Sequence, residues 1–176
     1  MRPRVLPAVT GLVLVLGGCS GHDRPAVYDL PARTVRPDET AVHAPPTASG
    51  ELTFQVIGFT TGMTGLAGSH ADRAPRGRYT RVRIVVVNTS RTDQTYDARN
   101  QKLVAADGAQ YTRDLEASLI KRQPAEDLEI GAGMRVEMDL WYDIPATARP
   151  TALRVVGTAP LGSVTPTAPP ADVRLP

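Results

Sequence analysis

The apolar pattern of this chain predicts an all-β antiparallel sandwich, on three observations. Apolar and polar side chains alternate with a period of two in several separate stretches. Turn chemistry at Asn88-Thr89-Ser90 and Asp107-Gly108 separates those stretches. Helical spacing occurs in one short stretch only, Asp114 to Arg122, where Leu115 and Leu119 stand one turn apart and Pro124 sets a limit.

The N-terminus has a different character. Arg2 and Arg4 precede an apolar run from Val5 to Leu16, which ends in Leu16-Gly17-Gly18-Cys19. The run is shorter than the ~20 residues a spanning helix needs. Basic, apolar and small-residue regions in this order resemble the signal peptide and lipobox of a bacterial lipoprotein. The resemblance implies that residues 1–18 are removed and that Cys19 is diacylated on sulfur. The protein would then be lipid-anchored at the extracytoplasmic face of the cell membrane, with the bilayer as its first partner. Cys19 is the only cysteine, so the chain can form neither an internal disulfide nor a Cys-based metal site.

From residue 19 to 50, Pro25, Pro31, Pro37, Pro45 and Pro46 interrupt any regular element, and a disordered tether is expected. Residues 51–158 hold the predicted core. Leu52, Phe54 and Val56 open the first strand, and Val82, Ile84 and Val86 alternate with arginines in a long second one. Leu103-Val104, the Asp107-Gly108 turn and Tyr111 form a hairpin pattern. From Gly133 to Ile144, Met134, Val136, Met138, Leu140 and Tyr142 fall on one face and Arg135, Glu137, Asp139 and Asp143 on the other. Leu153, Val155 and Val156 make the last strand. Residues 159–176, broken by Pro160, Pro166, Pro169, Pro170 and Pro176, read as a disordered C-terminal tail.

Three segments in this order carry a family resemblance: Val-Val-Val-Asn-Thr-Ser, then Leu-Val-Ala-Ala-Asp-Gly-Ala-Gln-Tyr, then Leu-Glu-Ile-Gly-Ala-Gly with Met-Asp-Leu-Trp-Tyr-Asp-Ile-Pro. Over residues 51–157 the chain resembles the DUF4352 family of extracytoplasmic domains. The resemblance implies an immunoglobulin-like sandwich, related to a secreted mycobacterial antigen of that fold, and brings no catalytic residue. The usual Pro-Gly before the long strand is replaced here by Ile130-Gly131-Ala132-Gly133.

The residues themselves argue against most chemistry. The formal charge is +2, and removal of Arg2 and Arg4 brings it to zero, so no basic face calls for nucleic acid. Ser69, His70 and Asp72 are the residue types of a nucleophilic triad, but near-adjacent in a loop they lack the scaffold that orients one. Gly58, Gly62, Gly65, Gly68 and Gly77 read as a long flexible connection to Arg78, because no Gly-Lys-Ser/Thr follows for a phosphate cradle. Glu126, Asp127, Glu129 and Asp143 do not follow a calcium-loop spacing. His22, His43 and His70 are scattered. No metal, no cofactor and no catalytic residue is expected.

The Arg73, Arg76, Arg78, Arg81 and Arg83 run reads as locally neutralised charge, with Arg81 and Arg83 near Glu137 and Asp139 across the strands. An apolar anomaly remains. Val85, Val87 and Trp141 share the outer face with these charges, and Trp is enriched in binding hot spots. They form the candidate partner surface unless a loop or the tail covers them, or a bulge near Leu140 turns Trp141 inward. The expected function is a non-catalytic binding or scaffolding module for an envelope protein or glycan. The alternative is an accessory subunit of a transport or envelope-assembly system, with an enzyme less favoured.

Overall fold

The structure, a computed structural model, describes residues 34–68 and 72–176, and Thr34–Pro176 form one compact unit. Its strands in chain order are β1 (Thr40–Ala41), β2 (Thr47–Ser49), β3 (Leu52–Met63), β4 (Leu66–Ala67), β5 (Asp72–Arg73), β6 (Arg78–Asn88) and β7 (Gln94–Tyr96). After these come β8 (Lys102–Ala105), β9 (Gln110–Tyr111), helix α1 (Leu115–Ile120), β10 (Leu128–Ile130), β11 (Arg135–Ile144), β12 (Pro150–Val155) and β13 (Ala171–Arg174). One sheet runs β1-β3-β6-β11, with β2 also on the outer edge of β3; a second runs β13-β12-β8-β9. Two small ribbons, β7–β10 and β4–β5, complete an antiparallel, all-β sandwich.

The period-two pattern decides which face each side chain takes. β6 and β11 pair without a break, setting Met138 against Ile84 and Leu140 against Val82 on the inner face. These residues, with Phe54, Val56 and Val86 from the same sheet, meet Leu103, Leu153, Val155 and Val173 from the other in one buried core. Full burial of such side chains contributes about 1.5–3 kcal/mol each. The same register puts Val87 opposite Arg135, Val85 opposite Glu137, Arg83 opposite Asp139 and Arg81 opposite Trp141 on the outer face. No bulge interrupts β11, so Trp141 keeps the outward side that alternation predicts.

Buried polar groups secure the corners. Asn88 is fully buried and its amide donates to the carbonyls of Thr92 and Ile130, while its Oδ1 accepts from the Ser90 N–H and hydroxyl. The expected turn therefore forms around it. Gln101, also fully buried, donates to the Asp97 and Val156 carbonyls and accepts from the Val156 N–H. Gly108, at φ +84°, closes the β8–β9 hairpin in a backbone region that favours glycine.

Three expectations change. Within the segment expected as a tether, β1 and β2 pair with β3, so residues 34–50 belong to the fold; residues 19–33, and Cys19 with them, lie outside the described residues. Short strands at an edge tolerate the flanking prolines that seemed to exclude structure. The expected tail carries β13, which pairs with β12 and buries Val173 and Leu175. The connection expected to be long and flexible carries strand: β3 runs to Met63, and β4 pairs with β5. The expected short helix forms as α1; its buried residues are Ala117 and Ser118, and Leu115 and Leu119 are about half exposed.

Candidate functional site: the outer face of the long-strand sheet

The outer face begins as a stripe of charge on neighbouring strands. Arg81 and Arg83 project from β6, and Glu137 and Asp139 from β11. Left open, they would be solvated pairs of small energetic value. The chain instead returns over them. Arg36 donates to Asp139 Oδ2 at 2.7 Å, and the Arg83 guanidinium reaches the Thr34 carbonyl at 3.3 Å. Glu39 places Oε2 3.0 Å from Arg83 and Oε1 3.6 Å from Arg81. Its side chain is 0% exposed, against 6% for Arg83 and 14% for Arg81, so the pairing is shielded from solvent.

Gly58 is what lets the segment lie so close. A Cβ built there would fall 2.1 Å from Glu39 Oε1, and the register of β3 against β6 shifts between Val56 and Gly58. Glycine is required for space, since only a residue without a side chain leaves room for the carboxylate. Arg36, Arg81 and Arg83 thus face Glu39, Glu137 and Asp139 in a cluster built from the N-terminal segment, β6 and β11. Glu39 and Arg36 gave no signal in the sequence: they stand in a short charged stretch, Arg36-Pro37-Asp38-Glu39, without apolar periodicity, and only the folded chain brings them to the arginines.

Trp141 is the second element of this face, and it is 3% exposed. It belongs to a small cluster with Leu66, Tyr79 and Ala117, against which Met63 packs. The β4–β5 ribbon and α1 therefore cover it. The Arg81 guanidinium and the Lys121 ammonium each lie 5.8 Å from its ring centroid, within cation–π range. Val85 is fully buried and Val87 partly so. Val85, Val87 and Trp141 are thus not an open partner surface. The expectation placed them on the correct face, and of the outcomes it allowed, cover by a loop is the one found over Trp141.

The free edge of β11 is capped in the same region. The Trp141 carbonyl accepts from the Asp114 N–H at 2.7 Å, and the Asp139 N–H donates to Gln123 Oε1 at 2.8 Å. Asp114 also caps α1 by accepting from Ala117 N–H, and it pairs with Arg73 at 3.0 Å. Asp143 fastens the approach to β6: its carboxylate accepts from the N–H groups of Arg76 and Gly77 at 2.8 and 3.0 Å. Burial pushes its carboxyl upward, but these two donors and the Arg76 guanidinium outweigh it and hold the group below the usual aspartate range. Gly77 fits there because a Cβ would meet the Ile144 carbonyl at 2.1 Å.

A cleft of about 250 Å³ opens beside Asp143, lined by Arg76, Tyr111, Arg113 and Asp114 among others. Its charged groups already have partners, with Arg113 donating to the Pro124 and Ala125 carbonyls at 2.7 and 3.0 Å. The acidic residues considered for calcium are dispersed, since Asp127 pairs with Arg99 while Asp143 serves the β6 approach. Among the described residues no group of three or more His, Cys, Asp or Glu side chains converges. Ser69 and His70 lie outside the described residues, and His43 is exposed.

The sequence profile described as "Domain of unknown function (DUF4352)" matches residues 45–164, most of the chain. The chain belongs to the DUF4352 family. No curated protein matches it significantly. Among solved structures, this DUF4352 domain is similar to a functionally unknown protein from Listeria monocytogenes EGD-e, with TM-score 0.51 and 12% identity over 79% of this chain and 87% of that one. It is also similar to a conserved hypothetical protein from Bacillus anthracis, with TM-score 0.50 and 15% identity over 68% and 89%. A third likeness is to MPT63, a secreted protein from Mycobacterium tuberculosis, with TM-score 0.41 and 13% identity over 69% and 84%. At these identities the likenesses concern fold. The DUF4352 match begins at residue 45, so Arg36 and Glu39, which close the outer face, lie ahead of it. Among the described residues no helix is long and apolar enough to cross a membrane.

Proposed function

We propose that the protein is a lipid-anchored, extracytoplasmic binding or scaffolding domain without catalysis of its own. The observation that carries this reading is how the fold uses its charges. The ionisable side chains that the strands bring together (Glu39, Arg81, Arg83, Asp114, Asp139 and Asp143) are engaged in fastening segments of the chain to one another. A carboxylate that caps backbone donors, or that is held between buried guanidiniums, is in no position to exchange protons with a substrate. The lipobox-like Leu16-Gly17-Gly18-Cys19 supplies the anchored half of the reading.

With Val85 and Trp141 buried, partner contact moves to the elements that cover Trp141. Leu115 and Leu119 are 50% and 54% exposed on α1, beside the β4–β5 ribbon. An envelope protein or glycan is the class of partner that an anchored domain meets. Proximity labelling from the tethered protein, with and without Leu115→Ser/Leu119→Ser, tests this reading. Loss of specific neighbours in a variant that unfolds normally supports it; an unchanged neighbour profile refutes the surface. One dominant stoichiometric neighbour would favour an accessory subunit instead. The anchor is tested separately: Cys19→Ala is expected to abolish labelling by a lipid probe, and persistent labelling would overturn it.

A further inference from the structure

The segment between Thr158 and Thr167 is built unlike the other connections. Thr158 and Thr167 form an antiparallel bridge, and the Ala159 N–H donates to the Pro166 carbonyl at 3.0 Å. At the tip the Ser163 N–H donates to the Pro160 carbonyl at 3.1 Å, closing a four-residue turn. Gly162 occupies its third position at φ +87°, the value a type II turn requires there. The stem is fastened to the body, since the Glu51 N–H donates to the Thr158 carbonyl and the Thr158 hydroxyl to the Thr95 carbonyl. This is a fixed projection.

The apolar side chains at its tip do not serve the fold. Leu161 and Val164 have relative exposures of 105% and 103%, the highest of any large apolar residues described. A Cβ at Gly162 would meet nothing within 4 Å. No charged residue occurs between Arg154 and Asp172. A third exposed apolar side chain, Met134, lies at the same end: its carbonyl accepts from Asn88, next to Thr89, whose N–H donates to the Glu51 carbonyl beside the stem. The charged residues next to these contacts in the sequence are mixed, with Arg91 and Arg135 against Glu51 and Asp93.

We propose that the Leu161–Val164 tip is a membrane-contact loop that inserts its two aliphatic side chains into the interfacial region of the bilayer. The occupant is lipid, because the tip is convex, apolar and uncharged, which suits insertion into a fluid surface. The proposal rests on the anchored reading. Fourteen residues separate Cys19 from Thr34, and a chain of that length spans at most about 50 Å. An acylated Cys19 therefore holds the domain within reach of the surface. Two aliphatic side chains alone give weak, reversible partitioning; with an acyl anchor they become the second of the two signals that stable orientation needs. The mixed charges imply little dependence on anionic lipid.

The test uses the full mature protein, purified from cell membranes and reconstituted in phosphatidylethanolamine/phosphatidylglycerol vesicles. An environment-sensitive fluorophore is placed at Ser163→Cys, or at Asp107→Cys as a control on the distant β8–β9 turn. Flotation reports the anchor, and the fluorophore reports the loop. The expected result is a blue shift of about 10 nm or more and quenching by lipid-borne nitroxide at residue 163 but not at 107. Both effects should be lost in Leu161→Ser/Val164→Ser, which floats as before. Protein that floats while the 163 probe stays water-like would overturn the loop and leave the anchor standing. Flotation that needs Leu161 and Val164 but not Cys19 would do the reverse. Neither flotation nor a blue shift would overturn both.

Discussion

Replacing Glu39 by Gln keeps the shape of the side chain and removes its charge, leaving Arg81 and Arg83 to face one another. The distances of 3.0 and 3.6 Å correspond to attractions of about 5.5 and about 4.6 kcal/mol at an effective dielectric of ~20. Desolvation of the three groups offsets much of this in the native protein, so the pairing is a modest net stabiliser. The variant is different, because the arginines stay buried and lose their counter-charge. Breaking a buried pair in this way costs about 3–5 kcal/mol. Here the lower end applies, since Arg83 keeps Glu137 at 3.7 Å and Arg81 keeps the Thr60 hydroxyl at 3.0 Å. A loss of about 3 kcal/mol in a domain of this size lowers Tm by roughly 9 °C. Urea unfolding followed by circular dichroism measures it, with Asp172→Asn as the control. Asp172 makes a two-pronged bond to Arg154, but the side chains are 43% and 33% exposed, which limits its loss to about 1 kcal/mol or less. If Glu39→Gln loses no more than Asp172→Asn, the buried cluster does not hold the outer face together.

Gly58→Ala should destabilise to a similar degree by displacing the Glu39 carboxylate, and in combination with Glu39→Ala the two losses should be clearly less than additive in denaturant unfolding. Trp141→Ala should cost about 3–5 kcal/mol as a buried aromatic truncation, so unfolding, not a pull-down from intact protein, is where its effect will be read. Asp143→Asn should be less stable than wild type at neutral pH and equal to it in strong acid. The folded carboxyl sits below its unfolded value of about 3.9, so its contribution is complete above that pH and is lost as pH falls through the folded value. Truncation after Thr158 should destabilise by several kcal/mol, because β13 and the buried Val173 and Leu175 go with it; a truncated protein of wild-type stability would contradict this.

The long strands were legible because their burial has one cause. On β6 and β11 each inward residue meets the same core, so a period of two is preserved along the whole strand. The short edge strands were not legible, since β1 and β2 offer two and three residues and take their stability from β3. Val173 and Leu175 did carry a readable alternation with Ala171, overshadowed by the prolines before it. The outer face shows a deeper limit. Alternation assigned Val85 and Trp141 to it correctly, but alternation does not report what folds back over a face. Over the arginines that depended on Glu39, far away in sequence, and on the absence of a side chain at Gly58; over Trp141 it depended on the β4–β5 ribbon and α1.

The central claim is that residues ahead of the family-wide domain close its outer face and belong to the fold. Amide hydrogen exchange of the full chain tests it most directly. The Val42 N–H donates to the Ile57 carbonyl, and β2 is paired along its length with β3. Peptides spanning Thr40–Ser49 are therefore predicted to exchange orders of magnitude more slowly than an unstructured chain, and to lose that protection in Glu39→Gln before the core strands do. Exchange of Thr40–Ser49 at unstructured rates in the wild-type protein would contradict the claim.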